Sequence, residues 1–337
     1  MLDQQLYLDL QGLCALKTLT LGDGHYPTDD RQYCIEVSVP PSLKILYLMS
    51  ECAHRTSLYN AIVGKITFNA NVEKIRIEKF TREPILEGLV FPPSVTHLTI
   101  SGEYEPVQLP ESLIKLKMPI DNNNNNQGGL INLQYLKKLI YTTDQPNNND
   151  IQFVLPSTST AAVAAADYPP NLETLNLIQI KSNYTIDNLP PTIKYLSILL
   201  NNTNNDRSQK YPPIFSINSR LSNISQIQWL PYNTTHLTCQ LEITLQQGAF
   251  RLDQVINHTN VRHLCLIISD TILHFSIQRL DTGKHKVLVL ETKSISGGII
   301  TQRKTNYNQQ YDPIYLHFKV AGSGPFELKC ILNFKKL

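Results

Sequence analysis

One short phrase constrains the fold of this chain more than any other feature of its sequence. In it, a proline pair or a single proline precedes three apolar residues that are spaced three and then two apart. Close copies lie at residues 40–48, 92–100, 110–118, 169–177 and 190–198. With the weaker copies, the first apolar positions are Leu16, Leu43, Val72, Val95, Leu113, Leu136, Leu172, Ile193, Thr234 (degenerate) and Val261. Repetition at this period is typical of a repeat protein.

The spacing within the phrase predicts a strand that is entered from a turn. The last two apolar positions lie two residues apart, so they point to one face of a strand. Proline cannot donate to a β-ladder and favours extended backbone, so it marks the turn before the strand. A repeat of about 20 residues cannot bury its own apolar face, and parallel stacking would create a shared core. We therefore predict a leucine-rich-repeat-like α/β solenoid of about ten coils, mostly parallel β, with an irregular or 3-10 convex side.

Changes in the pattern along the chain predict its domain organisation. Residues 1–280 are predicted to form the repeat solenoid, and residues 281–337 a C-terminal β-rich cap over the last coil. Low-complexity loops are predicted near residues 121–130, 142–167 and 201–209. Strands of the cap are predicted at residues 286–291, 315–320 and 326–333, separated by glycines near 297 and 323. Two alternatives are an antiparallel β-sandwich for the whole chain and a separate β domain for its end.

Charge, hydropathy and motifs argue against several classes of function. The formal net charge is only +2, which does not favour nucleic acid or an acidic membrane as a partner. No apolar run approaches the roughly 18 residues that would span a bilayer. The N-terminus lacks the basic region of a secretory signal and the six cysteines are scattered, so we expect a cytoplasmic protein. Phosphate-loop, dinucleotide, zincin and hydrolase signatures do not occur, and we predict neither enzymatic activity nor a cofactor.

The repeats resemble the FNIP repeat, a leucine-rich-repeat variant that is abundant in social amoebae. Its pattern of Pro-Ile, a spacer and Leu-Pro-x-Ser-Leu-x-x-Leu is matched best by residues 80–98, and then by 104–113. The resemblance covers about residues 36–270 and implies a protein-binding solenoid. The Phe-Asn dipeptide of the family is not kept. The asparagine ladder of ordinary leucine-rich repeats is also nearly missing, so the backbone groups at that bend need other partners.

Alternation along each strand predicts which side chains the sheet exposes. If the last two apolar residues of the phrase point inward, their neighbours point outward and lie side by side on adjacent strands. This phase brings together a basic stripe made of Lys74, Arg76, Lys115, Lys117 and Lys138, flanked by Tyr47 and Tyr195. We predict that the stripe binds an acidic segment of a protein whose identity the sequence does not give. The competing interpretation is a solvated face that keeps the protein soluble.

Three histidines, His97, His236 and His263, share one repeat position, and Cys265 lies close to the last of them. A metal site or a Cys/His nucleophile could be drawn from them. Two imidazoles without a carboxylate or thiolate in phase make a poor zinc site, so surface histidines are the preferred interpretation.

The predicted function is therefore a non-catalytic protein–protein interaction scaffold. The alternative is a small-ligand or carbohydrate-binding repeat protein displayed outside the cell, which glycosylation at the five N-x-[ST] sequons would support.

Overall fold

The computed structural model divides the chain into two compact units. Unit 1 comprises Met1–Asn148 with Thr158–Leu172, and unit 2 comprises Asn149–Ser157 with Glu173–Leu337. The structure describes residues 4–23, 33–50, 66–67, 71–78, 90–101, 108–119, 130, 132–142, 168–181, 184–201, 213–222, 224–242, 247–304, 311–319 and 331–333. The three predicted low-complexity loops lie outside these residues, apart from Leu130, Thr142 and Asn201.

Nine strands are described in unit 1, and six of them form a parallel sheet in chain order. The nine are β1 Gln4–Asp9, β2 Thr18–Asp23, β3 Tyr33–Ser38, β4 Ile45–Ser50, β5 Ile66–Thr67, β6 Lys74–Glu78, β7 His97–Ser101, β8 Lys115–Pro119 and β9 Lys138–Thr142. The sheet runs β2-β4-β6-β7-β8-β9, with each neighbouring pair parallel. Each of these six strands begins two residues after a predicted first apolar position, as the phrase requires.

The apolar residues of the phrase form the core of unit 1. In the coil of β8, Leu113 and Leu116 are fully buried and Met118 is 4% exposed. The same three positions are buried in the coils of β4, β6, β7 and β9. In the first coil Leu16, Leu19 and Leu21 are only half-buried, because β2 is the edge strand of the sheet. The predicted stacking of one apolar face on the next is therefore confirmed from β4 to β9.

The expectation of an irregular or 3-10 convex side is wrong for the first three coils of unit 1. There the segments before β2, β4 and β6 carry a strand each, and these pair in parallel as a second sheet, β1-β3-β5. The register joins Leu8 to Val37, and Val37 is fully buried. The backbone groups of these coils are thus satisfied by a second ladder rather than by isolated turns.

Hydrogen bonds from the residue just before the first apolar position tie each coil to the preceding one. The Ser94 and Ser112 hydroxyls donate at 2.7 Å to the carbonyls of Val72 and Val95. Where an asparagine holds this position, its longer side chain reaches a carbonyl two residues earlier, as when Asn71 donates at 2.8 Å to Pro41. Asn171, Asn233 and Asn260 repeat this contact. These ties explain the serine of the phrase, and they supply partners that the missing asparagine ladder would provide elsewhere.

We expect Ser94→Ala and Ser112→Ala each to lower the free energy of unfolding by about 1 kcal/mol, because each leaves a partly buried carbonyl without its donor. Urea denaturation followed by circular dichroism measures the change. Thr20→Ala is the control, since Thr20 is exposed on β2, and we expect a loss of only a few tenths of a kcal/mol there. Serine variants as stable as the control would show that the ties do not stabilise the coils.

Unit 2 continues the phrase and then departs from it. Its described strands are β10 Thr174–Leu177, β11 Tyr195–Asn201, β12 Ile214–Phe215, β13 His236–Glu242, β14 Gln247–Arg251, β15 His263–Ile268, β16 Thr271–Arg279, β17 Lys286–Glu291, β18 Ser296–Thr301, β19 Tyr315–Lys319 and β20 Ile331–Asn333. Strands β10, β11, β13 and β15 pair in parallel, and β15 to β18 pair antiparallel. A smaller sheet has the order β12-β14-β19-β20. Its described helical segments are a 3-10 turn, Ile217–Arg220, and helix α1, Leu252–His258.

The last part of unit 2 confirms two predicted strands and corrects the position of a turn. Predicted strands 286–291 and 315–320 are β17 and β19, the latter ending at Lys319, and only the end of the predicted strand 326–333 is described, as β20. Antiparallel pairing begins at β16, before residue 281, and the boundary at 281 stays a prediction. Gly297 was expected between strands but lies within β18. It has φ +147°, and a Cβ there would meet the Val289 carbonyl oxygen at 2.1 Å, so this close strand pairing requires glycine.

The Arg279 side chain, at the end of β16, forms hydrogen bonds with the C-terminal part of α1 and with the turn that follows it. Its guanidinium donates to the carbonyls of Val255, Ile256, Thr259 and Val261 at distances between 2.8 and 3.2 Å. The last carbonyls of a helix have no partner within the helix and must find one elsewhere. A cation there also interacts favourably with the helix dipole. One side chain therefore closes the C-terminus of α1 and the turn that leads into β15.

Candidate interaction surface on the exposed strand face

The lysines of the predicted stripe lie side by side on the sheet of unit 1. The register places Lys74, His97, Lys115 and Lys138 in one row across β6 to β9. Arg76, Thr99, Lys117 and Ile140 form the second row, two residues further along the same strands. Since neighbouring strands lie about 4.8 Å apart, the first row spans about 14 Å from Lys74 to Lys138.

The positive charge of the stripe comes mainly from its four lysines. Lys74 is exposed, and Lys115, Lys117 and Lys138 are half-buried. None of the four forms a salt bridge with any residue that the structure describes. Arg76 differs, because its Nε donates at 2.6 Å to Glu78 on the same strand. An acidic ligand would therefore find four lysine ammonium groups available and one guanidinium already engaged.

Burial and, after it, neighbouring positive charge lower the pKa of two groups in the first row, Lys115 and His97. Burial lowers the pKa of Lys115, and the charges of Lys138, Lys117 and Lys74 lower it further. Burial likewise lowers the pKa of His97, with contributions from Lys74 and Lys115. Each lowered pKa means that the surroundings disfavour the protonated, positively charged form of that group. A carboxylate placed over the row would relieve that repulsion.

Glu73, an acidic group beside the first row, is already engaged. Glu73 precedes β6 and accepts a hydrogen bond at 2.7 Å from the Lys44 ammonium. This bond and the charge of Lys44 lower the pKa of Glu73, so the carboxylate is ionised at neutral pH. The negative charge of Glu73 therefore acts on Lys44 as well as on the stripe.

The two tyrosines predicted to flank the stripe lie in different units. Tyr47 is half-buried on β4 and is in register with Arg76, at the border of the second row. Tyr195 belongs to unit 2, where it is 44% exposed on β11. There its ring centroid lies 4.5 Å from that of His236, which in turn lies 4.4 Å from that of His263. Within unit 1, Tyr47 therefore borders the basic rows.

The histidine and cysteine positions of unit 2 offer little for metal or nucleophilic chemistry. Burial lowers the pKa of His236, and the neighbouring His263 lowers it further, which favours a neutral His236 imidazole at pH 7. Burial raises the pKa of the Cys265 thiol, which disfavours the reactive thiolate. Within the described ranges, no group of three or more His, Cys, Asp or Glu side chains could hold a metal ion.

Sequence reasoning missed a second surface feature, an open hollow in unit 2 that Trp229 and Tyr232 help to line. These residues lie between the apolar positions of two coils, where the repeated phrase makes no prediction. The signal that was available is compositional, since Trp229 is the only tryptophan of the chain.

Comparisons with known proteins return no match: no family model, no curated protein and no solved structure is similar to this chain. Among the residues described by the structure, no helix combines the length and the apolar character needed to cross a membrane.

Proposed function

We propose that this chain is a non-catalytic interaction scaffold whose exposed strand face in unit 1 binds an acidic segment of another protein. In this proposal the coils are of the leucine-rich-repeat kind and similar to FNIP repeats, and the protein acts in the cytoplasm. The ten predicted coil strands, their parallel pairing in chain order within each unit and the small amount of helix among the described residues support the repeat part of the proposal.

The observation that carries the proposal is the register of the two rows. Lys115 and Lys117 lie in the middle of it, each with basic or neutral side chains on the neighbouring strands. Repeat proteins commonly use the extended surface made by equivalent positions of successive coils to bind partners. Complementary charge at such a surface accelerates association and favours acidic partners over basic ones.

The spacing of the lysines suggests the form of the partner. The first row spans about 14 Å, and an extended peptide advances about 3.3 Å per residue, so four to five residues would cross it. Aspartate or glutamate at alternate positions would place carboxylates on one side of such a peptide. Tyr47, beside Arg76, offers an aromatic ring at the border of the surface.

We expect Lys115→Glu combined with Lys117→Glu to abolish binding of the acidic partner, since the change replaces attraction with repulsion at the centre of both rows. The full chain and the variant would each be used as bait in affinity purification from native cells with mass spectrometry. A fluorescent glutamate-rich peptide supplies a direct probe, and its binding to the unaltered protein should weaken with added salt.

The matched control is Lys181→Glu combined with Lys286→Glu, two exposed lysines of unit 2. It changes the net charge by the same amount as the stripe variant does. A difference between the two variants would therefore reflect where the charge lies and not how large it is. A double variant of the stripe that captures the same partners and binds the peptide as the control does would refute the proposal.

A further inference from the structure

Unit 2 contains a half-open hollow of about 500 Å³ between the turn that precedes β11 and the segment that precedes β13. We call it the Trp229 hollow. Its lining includes the aromatic rings of Trp229 and Tyr232 and the polar side chains of Asp187, Asn188, Gln226 and Gln228. A volume of this size lies in the range of about 300 to 1,000 Å³ that is typical of small-molecule sites.

The two aromatic residues differ in how firmly they are held. The indole of Trp229 stacks on the imidazole of His258, with ring centroids 4.1 Å apart and planes 6° from parallel. The Trp229 amide also donates at 2.8 Å to the carbonyl of His258 at the end of α1. Tyr232 is 75% exposed. The Trp229 side chain is thus held in place by His258, whereas the Tyr232 side chain is open to solvent.

The polar side chains of the hollow can both donate and accept hydrogen bonds. Asp187 is held by the backbone N–H of Ser222 at 3.1 Å and by the Ser222 hydroxyl, and its carboxylate retains further lone pairs. Gln228 donates at 3.0 Å to the Leu230 carbonyl, which leaves its own carbonyl oxygen as an acceptor. Asn188 and Gln226 are exposed, and their side chains form no hydrogen bond with any described residue.

We propose that the Trp229 hollow binds a neutral sugar. Each hydroxyl of a sugar donates one hydrogen bond and accepts others, which matches a set of amides and one carboxylate. A hydroxyl that donates to an ionised carboxylate forms a hydrogen bond stronger than a neutral pair does. The C–H face of a pyranose ring is apolar and flat, so it packs on an aromatic ring such as that of Trp229 or Tyr232.

The same lining disfavours the other ligands that aromatic hollows accept. A proline-rich peptide presents carbonyl acceptors and lacks N–H donors at its prolines, so Asp187 would face no donor. Among the described residues that line the hollow, none is a lysine or an arginine. Phosphate, sulfate and acidic sugars would therefore meet the carboxylate of Asp187 without a compensating cation. A neutral polyhydroxyl ligand is the class that remains.

Fluorescence of the full-length chain tests this proposal, because Trp229 is its only tryptophan and reports on this hollow. The probes are glucose, galactose, mannose and N-acetylglucosamine, together with their β-linked disaccharides. We expect at least one to change the emission saturably in the millimolar range or below. Ligand-observed saturation-transfer NMR on the same sugars supplies a readout that does not depend on the indole.

Two variants separate binding from folding. Asp187→Asn and Tyr232→Ala should each raise the dissociation constant for sugar by about tenfold, because each variant loses one charge-assisted hydrogen bond or one stacking contact. Tyr135→Ala is the matched control, since Tyr135 is 65% exposed in unit 1, and it should bind sugar as the unaltered chain does. Circular dichroism must show all three folded.

Two outcomes would overturn the proposal. One is that none of these sugars binds in the millimolar range or below, by fluorescence and by NMR alike. The other is that a proline-rich or glutamate-rich peptide, rather than a sugar, changes the Trp229 emission in a manner that Tyr232→Ala removes.

Discussion

Replacing Arg279 with alanine is expected to lower the free energy of unfolding by about 3 kcal/mol, because carbonyls at the end of α1 and in the turn after it lose a charged donor at once. The guanidinium of Arg279 is half-buried and serves four carbonyl oxygens between residues 255 and 261. Burial lowers its pKa, so its charge is held at some cost in desolvation, and the hydrogen bonds offset that cost. Chemical denaturation monitored by circular dichroism measures the loss.

Two further variants make the Arg279 experiment specific. Arg279→Lys keeps the charge but not the planar fork of donors, so we expect it to recover only part of the lost stability. Arg303→Ala removes an exposed arginine of the same unit and should change the free energy of unfolding by about 0.5 kcal/mol or less. If Arg279→Ala were as mild as Arg303→Ala, the contacts at the end of α1 would contribute little to stability.

Leu116→Ala is expected to lower the free energy of unfolding by about 2 to 5 kcal/mol, the usual loss when a leucine in a packed core is truncated. Leu116 is fully buried on β8, and the register sets it between Leu98 and Leu139, which are also buried. Truncation leaves a cavity inside a stack whose coils depend on their neighbours. The same denaturation measurement applies.

Ile114→Ala is the control for Leu116→Ala, because Ile114 is 40% exposed and lies only two residues earlier. Its carbonyl accepts hydrogen bonds from the next coil, and alanine preserves them. We expect a change within about 0.5 kcal/mol. Equal losses from the two variants would mean that the buried Leu116 contributes no more to stability than the exposed Ile114 does.

The repeated phrase was sufficient to predict the coil strands and their register. Each of the ten predicted first apolar positions is followed two residues later by a described strand. The predicted outward pairs, such as Lys115 with Lys138, are neighbours in the register. This succeeded because alternation within a strand and parallel stacking of similar coils fix which face of each strand is buried.

Features that arise between the phrases could not be predicted in the same way. The second sheet of unit 1 is built from segments such as β1 and β3, which share no repeated motif and become strands only by pairing with each other. The reversal to antiparallel pairing at β16 follows from a tight turn after β15, where Ser269 has φ 50°. Arg279 also bonds only to backbone carbonyls, for which a sequence carries no marker.

Surface features differ in how far the sequence alone can predict them. The basic rows depend only on the strand phase, and the structure puts Lys74, Lys115 and Lys138 together as expected. Tyr195 was grouped with them from its repeat position, and its place beside the stripe stays a prediction because it belongs to the other unit. The Trp229 hollow depends on residues about 40 positions apart in the sequence, whose proximity follows from the stacking of coils of unequal length.

Because the ties run from one coil to its predecessor only, the number of coils is a property that evolution can change in single steps. A duplicated segment would bring its own serine or asparagine donor and its own carbonyl acceptors, as those of Ser94 and Ser112 show. Gene duplication could thus lengthen the array, and with it the row of outward side chains, without redesign of either neighbour. The same modularity would let an engineer transplant a coil carrying a chosen outward pair.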